Sequence, residues 1–172
     1  MTKYKLLFIL LLLVSCEDEI NKGYSTKYPV RFYLETVQCN DLHNTMQSTG
    51  IYVSIRQLSN KILVETSNGQ QTEITQSAIA KDFRYGLGGL IVGRNYMGEA
   101  LAFDLSCPTC DRKDYRMTLI DGGYAQCAKC KTKYDLNNYG VIFSTTDPAP
   151  QNIRALYRYH IYYDGAIINV SN

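Results

Sequence analysis

The sequence contains no tryptophan, only two histidines and, beyond its N-terminus, no excess of charge of either sign. The full chain has 18 basic and 16 acidic residues, and its first 15 residues include two lysines and no acid. The remainder therefore has 16 residues of each sign, which excludes the basic surface field typical of nucleic-acid-binding proteins. Neither a Ser-His-Asp arrangement nor a pair of catalytic carboxylates is recognisable, so the sequence does not favour an enzyme.

Tyrosine is the dominant aromatic residue, with 15 copies. Aromatic and β-branched residues prevail in the middle and at the end of the chain, and both kinds favour strands over helices. Hydrophobic residues make up 45% of the sequence, which excludes a disordered protein. A length of 172 residues suffices for one domain with its own core and is short for two. We therefore expect a single domain over residues 29–172, rich in β-structure.

Apolar and polar residues alternate with a period of two after residue 28, as half-buried strands do. Asp164-Gly165 separates two such runs near the C-terminus and predicts a hairpin with a type I′ turn. One short helical stretch is predicted near residues 75–83. The predicted fold class is all-β, with small antiparallel sheets or a barrel. The other strand-like runs are 30–35, 51–56, 62–64, 90–92, 101–105 and 115–119.

The longest apolar run lies near the N-terminus, where Lys3 and Lys5 precede an unbroken run over residues 6–14. This run is shorter than the roughly 20 residues that a transmembrane helix needs. Its basic and apolar parts are typical of a secretory signal peptide. The run ends in the sequence LVSC, whose last residue is Cys16, and this sequence resembles the lipobox of bacterial lipoproteins. An ordinary secretory signal with an unrelated cysteine is the alternative.

The lipobox resemblance implies a membrane anchor. In that family, signal peptidase II cleaves before the cysteine, whose sulfur receives a diacylglyceryl group and whose amine is acylated. The resemblance makes residues 1–15 the signal peptide, Cys16 the lipidated residue and residues 16–28 the start of the mature chain with a flexible polar tether. Two or more acyl chains hold a protein firmly on a bilayer. We therefore expect a protein of the bacterial cell envelope, anchored to the outer membrane and facing the periplasm or the cell surface.

Four cysteines in the second half of the chain form two CxxC pairs. Cys107 and Cys110 are separated from Cys127 and Cys130 by sixteen residues, a spacing typical of a tetrahedral metal site. A tight turn that carries two cysteines three residues apart directs both sulfurs to one point. A strand and a glycine turn between the pairs are expected to bring the two turns side by side. The sequence therefore predicts a metal centre within about residues 101–140.

The metal and its role have several possible interpretations. Zinc suits four thiolates best, with a single iron or a [2Fe–2S] cluster as alternatives. A metal with four cysteine ligands has no open coordination position, which favours a structural role over hydrolysis. Two disulfides compete with a metal because the compartment is oxidising, and Cys107 with Cys110 would then be a redox-active dithiol. Cationic side chains flank both turns and are expected to offset the thiolate charge: Arg112, Lys113, Lys129, Lys131 and Lys133.

Motifs around the cysteines resemble a Rieske-type domain, in the right order over residues 84–172. A strand leads into Cys107-Pro108, and Cys130 is followed by Tyr134-Asp135-Leu136 and a glycine turn at Gly140. The DPAP sequence at residues 147–150 and the closing hairpin are similar to the end of that domain. The resemblance implies small antiparallel sheets with two loops that hold the metal.

The ligand set departs from that family. A Rieske cluster uses two histidines on one of its irons, whereas both loops of this chain contain only cysteine. Cys130 stands where the second histidine would be, and Cys110 lies one place after the first. The high-potential cluster therefore does not carry over, and a ring-hydroxylating oxygenase is excluded by length. The favoured function is a non-catalytic binding or structural module, with an electron-transfer protein as the alternative.

Three further features are expected to be structural. The glycine-rich residues 85–89 precede a strand instead of a helix, so they predict a turn and not a dinucleotide site. Cys39 and His43 are interpreted as a buried thiol and a surface histidine. His160 lies in a tyrosine-rich strand and is interpreted as a sheet residue.

Overall fold

The computed structural model describes residues 23–75 and 82–172. This part of the chain is mostly β-structure with one short α-helix, α1 (Asn40–Gln47), which follows a 3-10 turn at Thr36–Gln38. The predicted all-β class is confirmed. The strands are β1 (Val30–Glu35), β2 (Ile51–Leu58), β3 (Lys61–Thr66), β4 (Gln71–Thr75), β5 (Arg84–Tyr85), β6 (Leu90–Arg94), β7 (Ala100–Asp104), β8 (Met117–Ile120), β9 (Tyr124–Cys127), β10 (Lys133–Asp135), β11 (Val141–Ser144), β12 (Arg158–Tyr163) and β13 (Ile167–Ser171).

Two antiparallel sheets organise the described residues. The larger sheet has nine strands in the order β4-β3-β2-β6-β7-β12-β13-β1-β5, and the smaller has four in the order β11-β10-β9-β8. Both sheets are open, since the larger ends at β4 and β5 and the smaller at β11 and β8. The sequence predicts either antiparallel sheets or a barrel, and the described residues form open antiparallel sheets.

The central strands of the large sheet are buried on both faces. In β2, Val53 and Ile55 join a core that also receives α1, which we call the helix-side core. Tyr52, on the opposite face of β2, joins a second core that contains the four CxxC cysteines, which we call the cysteine-side core. The Tyr52 hydroxyl donates to the carbonyl of Leu136, 3.1 Å away, and so links β2 to the region beside the small sheet. The small sheet is thus seated on one face of the large one.

Helix α1 is a feature that the sequence prediction missed. Its sequence, NDLHNTMQ, contains few strong helix formers, but Leu42, Thr45 and Met46 repeat at helical spacing and are buried. Most of the helix predicted near residues 75–83 falls on residues 76–81, which lie outside the described residues. Of the residues beside them, Thr75 ends β4 and Asp82 has a 3-10 conformation.

The C-terminal hairpin is confirmed, with Tyr163 of β12 opposite Ile168 of β13. The predicted turn type is wrong, because a type I′ turn needs positive φ at both central residues. Gly165 has a φ of 100°, and Asp164 is not among the residues with positive φ. The Asp164 carboxylate instead accepts hydrogen bonds from the N–H groups of Ala166 and Ile167, at 2.9 and 2.8 Å, and so closes the turn through its side chain.

Part of the predicted tether packs against the domain. Ser25 donates its N–H to the carbonyl of Arg158 in β12, and Asn172 donates its side-chain amide to the carbonyls of Ser25 and Tyr28. The signal peptide and Cys16 lie outside the described residues. None of the helices in residues 23–75 and 82–172 has the length and apolar character that a membrane span requires.

Candidate metal centre

The two CxxC segments, which we call the first knuckle (residues 107–110) and the second knuckle (residues 127–130), form the same turn. In each, the N–H of the residue after the second cysteine donates to the carbonyl of the first cysteine, at 2.8 Å for Asp111 and 2.9 Å for Lys131. Both of these residues are left-handed, with φ of 52° and 59°. A positive φ is uncommon for residues other than glycine, so the two knuckles share the same unusual backbone conformation.

The β8–β9 hairpin brings the knuckles side by side. The first knuckle precedes β8 and the second follows β9, and Met117 at the start of β8 lies opposite Cys127 at the end of β9. The N–H of Cys107 donates to the Tyr115 carbonyl at 2.9 Å, which ties the first knuckle to the chain entering β8. The arrangement is the one that the strand and glycine turn between the cysteine pairs predicted.

The structure brings the four predicted sulfurs together. Cys107 Sγ lies 3.5 Å from Cys130 Sγ, Cys110 Sγ lies 3.8 Å from Cys127 Sγ, and all four atoms lie within 4.8 Å of one another. None of these cysteines forms a disulfide. A tetrahedral ion with metal–sulfur distances of about 2.3 Å separates its ligand sulfurs by about 3.8 Å. The donor set and its spacing therefore fit one tetrahedral metal ion.

Burial makes the group difficult to ionise without a cation. Cys107 and Cys127 are fully buried, whereas Cys110 and Cys130 are half-buried. Burial raises the pKa of the Cys107 thiol to about 11 and also raises that of Cys110. Burial opposes ionisation of Cys130 too, but hydrogen bonds with the Thr132 hydroxyl and N–H, and with the Cys107 and Cys110 sulfurs, outweigh it and lower the pKa of this thiol to about 7. A divalent ion would supply the charge that four thiolates at this distance require.

Hydroxyl groups that the sequence prediction missed surround the sulfurs. Thr132 Oγ1 lies 3.3 Å from Cys130 Sγ, and Tyr134 Oη lies 3.7 Å from Cys107 Sγ. Tyr134 Oη is held in place by Thr109 Oγ1, 3.0 Å away within the first knuckle. Thr132 and Tyr134 are both fully buried. Their position just after the second knuckle, with one residue between them, is the signal that could have identified them.

Three of the five flanking cations lie over aromatic rings and not on the sulfurs. Arg112 and Lys129 both stand over the ring of Tyr115, at 5.1 and 5.9 Å from its centroid. Lys133 lies 4.0 Å from the centroid of Tyr124. Within the described ranges, no lysine or arginine hydrogen-bonds to a cysteine sulfur. Because none of these cations donates a hydrogen bond to a sulfur, they can offset the thiolate charge only through longer-range electrostatics.

The segment before β1 holds the first knuckle from outside. Asp111 accepts hydrogen bonds from the hydroxyls of Tyr28, at 2.8 Å, and Tyr157, at 2.9 Å, and forms an ion pair with Lys27. These hydrogen bonds and the lysine charge outweigh burial and lower the pKa of Asp111. The knuckle is thereby fixed to the N-terminal segment and to the chain entering β12.

The glycine-rich residues 85–89 form the predicted turn, and they enclose a buried carboxylate. Asp104, at the end of β7, accepts hydrogen bonds from the N–H groups of Leu87, Gly88 and Ser106 at 2.6–3.1 Å, and from the Tyr159 hydroxyl at 2.7 Å. A Cβ on Gly86 would lie 2.3 Å from an Asp104 oxygen, so only glycine fits there. The turn fixes the strand end that leads into the first knuckle.

The remaining singled-out residues do not join the centre. Cys39 is buried beside α1, and His43 Nδ1 lies 3.1 Å from Thr36 Oγ1. His160 stacks on Tyr24, with 3.6 Å between the ring centroids. In the part of the chain that the structure describes, the only group of cysteine, histidine and acidic residues suited to a metal is the four knuckle cysteines.

Comparison with known proteins gave no match: no family model, no curated protein and no solved structure matches the chain. The Rieske-like and lipoprotein resemblances therefore stay predictions. The open antiparallel sheets and the four-cysteine group are what the structure itself supplies.

Proposed function

We propose that this protein is a lipid-anchored protein of the bacterial cell envelope whose Rieske-like domain is a non-catalytic binding or structural module stabilised by one zinc ion. This proposal rests chiefly on one observation: two knuckles with the same backbone conformation bring together the four sulfurs of Cys107, Cys110, Cys127 and Cys130. The lipobox sequence ending at Cys16 supports the anchor.

A single ion accounts for the sulfur spacing better than a two-iron cluster. A [2Fe–2S] cluster binds two of its four cysteines to each of two iron atoms, so sulfurs on different irons stand farther apart than sulfurs around one ion. Here all four sulfurs lie within 4.8 Å of one another. Four protein ligands around one zinc leave no position for water or substrate, which argues for structure over catalysis.

The composition of the small sheet suggests that the ion stabilises it. The cysteine-side core is built around the four cysteines, and the large aliphatic residues that strands β8–β11 add to it are few: Met117, Leu119 and the half-buried Ile142. A structural zinc ion contributes roughly 10–16 kcal/mol of apparent binding free energy to folding. We infer that this contribution replaces the hydrophobic core that the small sheet lacks.

A single iron in the same site is the second candidate, which would make the protein an electron carrier. The half-buried positions of Cys110 and Cys130 favour it, because they would give electrons a short path between the ion and the surface. Iron and zinc share the tetrahedral four-thiolate geometry.

Metal analysis of the purified full-length chain, combined with a visible spectrum, tests these proposals. We expect one zinc per chain and a colourless protein. One iron per chain with sulfur-to-iron charge-transfer bands would support the electron carrier. Metal-free protein with two disulfides would contradict both candidates and support the dithiol interpretation.

A further inference from the structure

A cavity of about 430 Å³ opens beside the glycine-rich turn at residues 85–89. Among the described residues, its wall includes four cationic side chains that come from distant parts of the sequence, and no acidic residue. A volume of this size lies within the range of small-ligand sites. The four cations are Arg56 of β2, Arg84 of β5, and Lys113 and Arg116 between the first knuckle and β8.

The positive charges in this cavity are weakly compensated. Within the described part of the chain, the only ion pair of these cations is that of Arg56 with Glu65, which does not line the cavity and whose Oε2 lies 3.8 Å from Arg56 Nη2. The Asp104 carboxylate lies behind the glycine-rich turn, where it accepts hydrogen bonds from the N–H groups of Leu87 and Gly88. Among the described residues, no ion-pair partner is present for Lys113, Arg84 or Arg116. Since the chain beyond its first 15 residues has equal numbers of basic and acidic residues, four cations around one cavity are a local concentration.

Strand pairing places a fifth cationic side chain beside the cavity. Arg31 of β1 is the direct cross-strand neighbour of Arg84 in β5. Like charges at directly opposite positions destabilise a sheet. A bound anion would remove this repulsion, so the pairing is easier to explain if the cavity is occupied.

The arginines are partly pre-oriented. Arg116 donates its Nε–H to the Gly88 carbonyl at 2.9 Å, and Arg84 donates from Nη1 to the Phe83 carbonyl at 3.1 Å. Each guanidinium has five N–H donors, so most remain available after these bonds. Guanidinium groups match the oxygens of phosphate and carboxylate in pairs of parallel hydrogen bonds.

We propose that this cavity binds an oxyanion that carries at least two negative charges, with phosphate as the favoured group. The phosphate can come from a soluble compound or from the headgroup of a lipid. The site is distinct from the four cysteines, although Lys113 and Arg116 lie on the segment between the first knuckle and β8. We therefore expect the metal-loaded protein to bind the anion more tightly than the chelator-treated protein.

Isothermal titration of the full-length chain in detergent tests this site with two soluble probes, pyrophosphate and glycerol 3-phosphate. The test variant is Arg84→Gln with Lys113→Gln. The matched control is Lys61→Gln with Arg154→Gln, which removes the same charge outside the cavity and away from the metal centre. We expect saturable binding at one site, weakened at least ten-fold in the test variant and less than two-fold in the control.

The outcomes separate the possibilities. Tighter binding of pyrophosphate indicates a soluble ligand. If glycerol 3-phosphate binds more tightly, a third titration with short-chain phosphatidic acid separates the sources: tighter binding of this lipid than of glycerol 3-phosphate indicates a lipid headgroup, and weaker binding indicates a soluble phosphate monoester. No saturable binding of either probe, or equal weakening in test and control variants, overturns the proposal. Circular dichroism of both variants checks that they fold, and the measured metal content keeps a failure of the metal proposal distinguishable from a failure of this one.

Discussion

The four cysteines occupy two kinds of environment. Cys107 and Cys127, the first of each pair, are fully buried, whereas Cys110 and Cys130 are half-buried. The first cysteine of each knuckle also anchors its turn through its backbone carbonyl. A change at an inner position therefore affects the centre and the core together.

Replacing Cys127 with serine is expected to remove the metal and destabilise the protein. Serine leaves a buried hydroxyl where the ion needs a thiolate, and loss of a structural metal belongs to the mutations that cost more than about 4 kcal/mol. Metal content and chemical denaturation measure both effects. Cys39→Ser is the control, because Cys39 is equally buried but lies outside the centre and precedes α1, where serine is a favoured capping residue. Retained metal and stability in Cys127→Ser would contradict the metal centre.

The Thr132 hydroxyl is expected to tune the centre without being a ligand. Thr132→Val keeps the shape of the side chain and removes the group 3.3 Å from Cys130 Sγ. Because outer hydrogen-bond partners typically change metal affinity by about 10–100-fold, we expect zinc to bind about ten-fold more weakly. Competition with a chromogenic chelator measures the affinity. Thr118→Val, at an exposed position of β8, should leave it unchanged. Equal affinities for both variants would remove Thr132 from the centre.

At the scale of elements, the small sheet depends on the centre more than the large sheet does. The β8–β9 hairpin aligns the knuckles, and β10 follows directly after the second knuckle. The helix-side core covers the other face of the large sheet and contains none of the four knuckle cysteines.

Chelation is therefore expected to open the two sheets unequally. Removal of the metal with a strong chelator should abolish amide protection in strands β8–β11 and leave much of it in β2, β3 and β6, since local unfolding follows the loss of local contacts. Hydrogen exchange monitored by mass spectrometry, with and without added zinc, makes the comparison. Equal loss of protection in both sheets would show that the ion supports the whole domain.

For the whole molecule, the docked N-terminal segment sets the position of the domain on its proposed anchor. Tyr24 lies eight positions after Cys16, with seven residues between them, and already contacts β12 through an isolated bridge to Arg158. Eight fully extended residues span at most about 28 Å. We therefore expect the domain to remain close to the membrane that carries the lipid.

Lipidation of Cys16 is tested by metabolic labelling with an alkyne fatty acid in a bacterial host. We expect label in the unchanged protein and in Cys39→Ser, and none in Cys16→Ser, because Cys16 is the one cysteine that the lipobox resemblance makes the acceptor of acyl groups. Mass spectrometry of the N-terminus identifies the cleavage site. An unlabelled protein that begins elsewhere would support the ordinary secretory signal instead.

The local parts of this protein followed from the sequence. The CxxC spacing predicted which four sulfurs meet, because a tight turn fixes the geometry of residues three apart, and period-two alternation predicted most strands. The turn at residues 85–89 and the C-terminal hairpin followed for the same reason. Local patterns failed where a short polar segment, such as α1, becomes a helix through the burial of Leu42 and Met46.

Only the tertiary structure decided which distant residues became neighbours. The Tyr134 hydroxyl beside Cys107, the tyrosines that bind Asp111, and the four cations around one cavity each bring together segments far apart in the chain. The packing of the two sheets and of the loops between their strands places these segments together, and no short-range preference encodes that packing. The sequence by itself determined the ligands of the metal centre, and the folded sheets determined its surroundings.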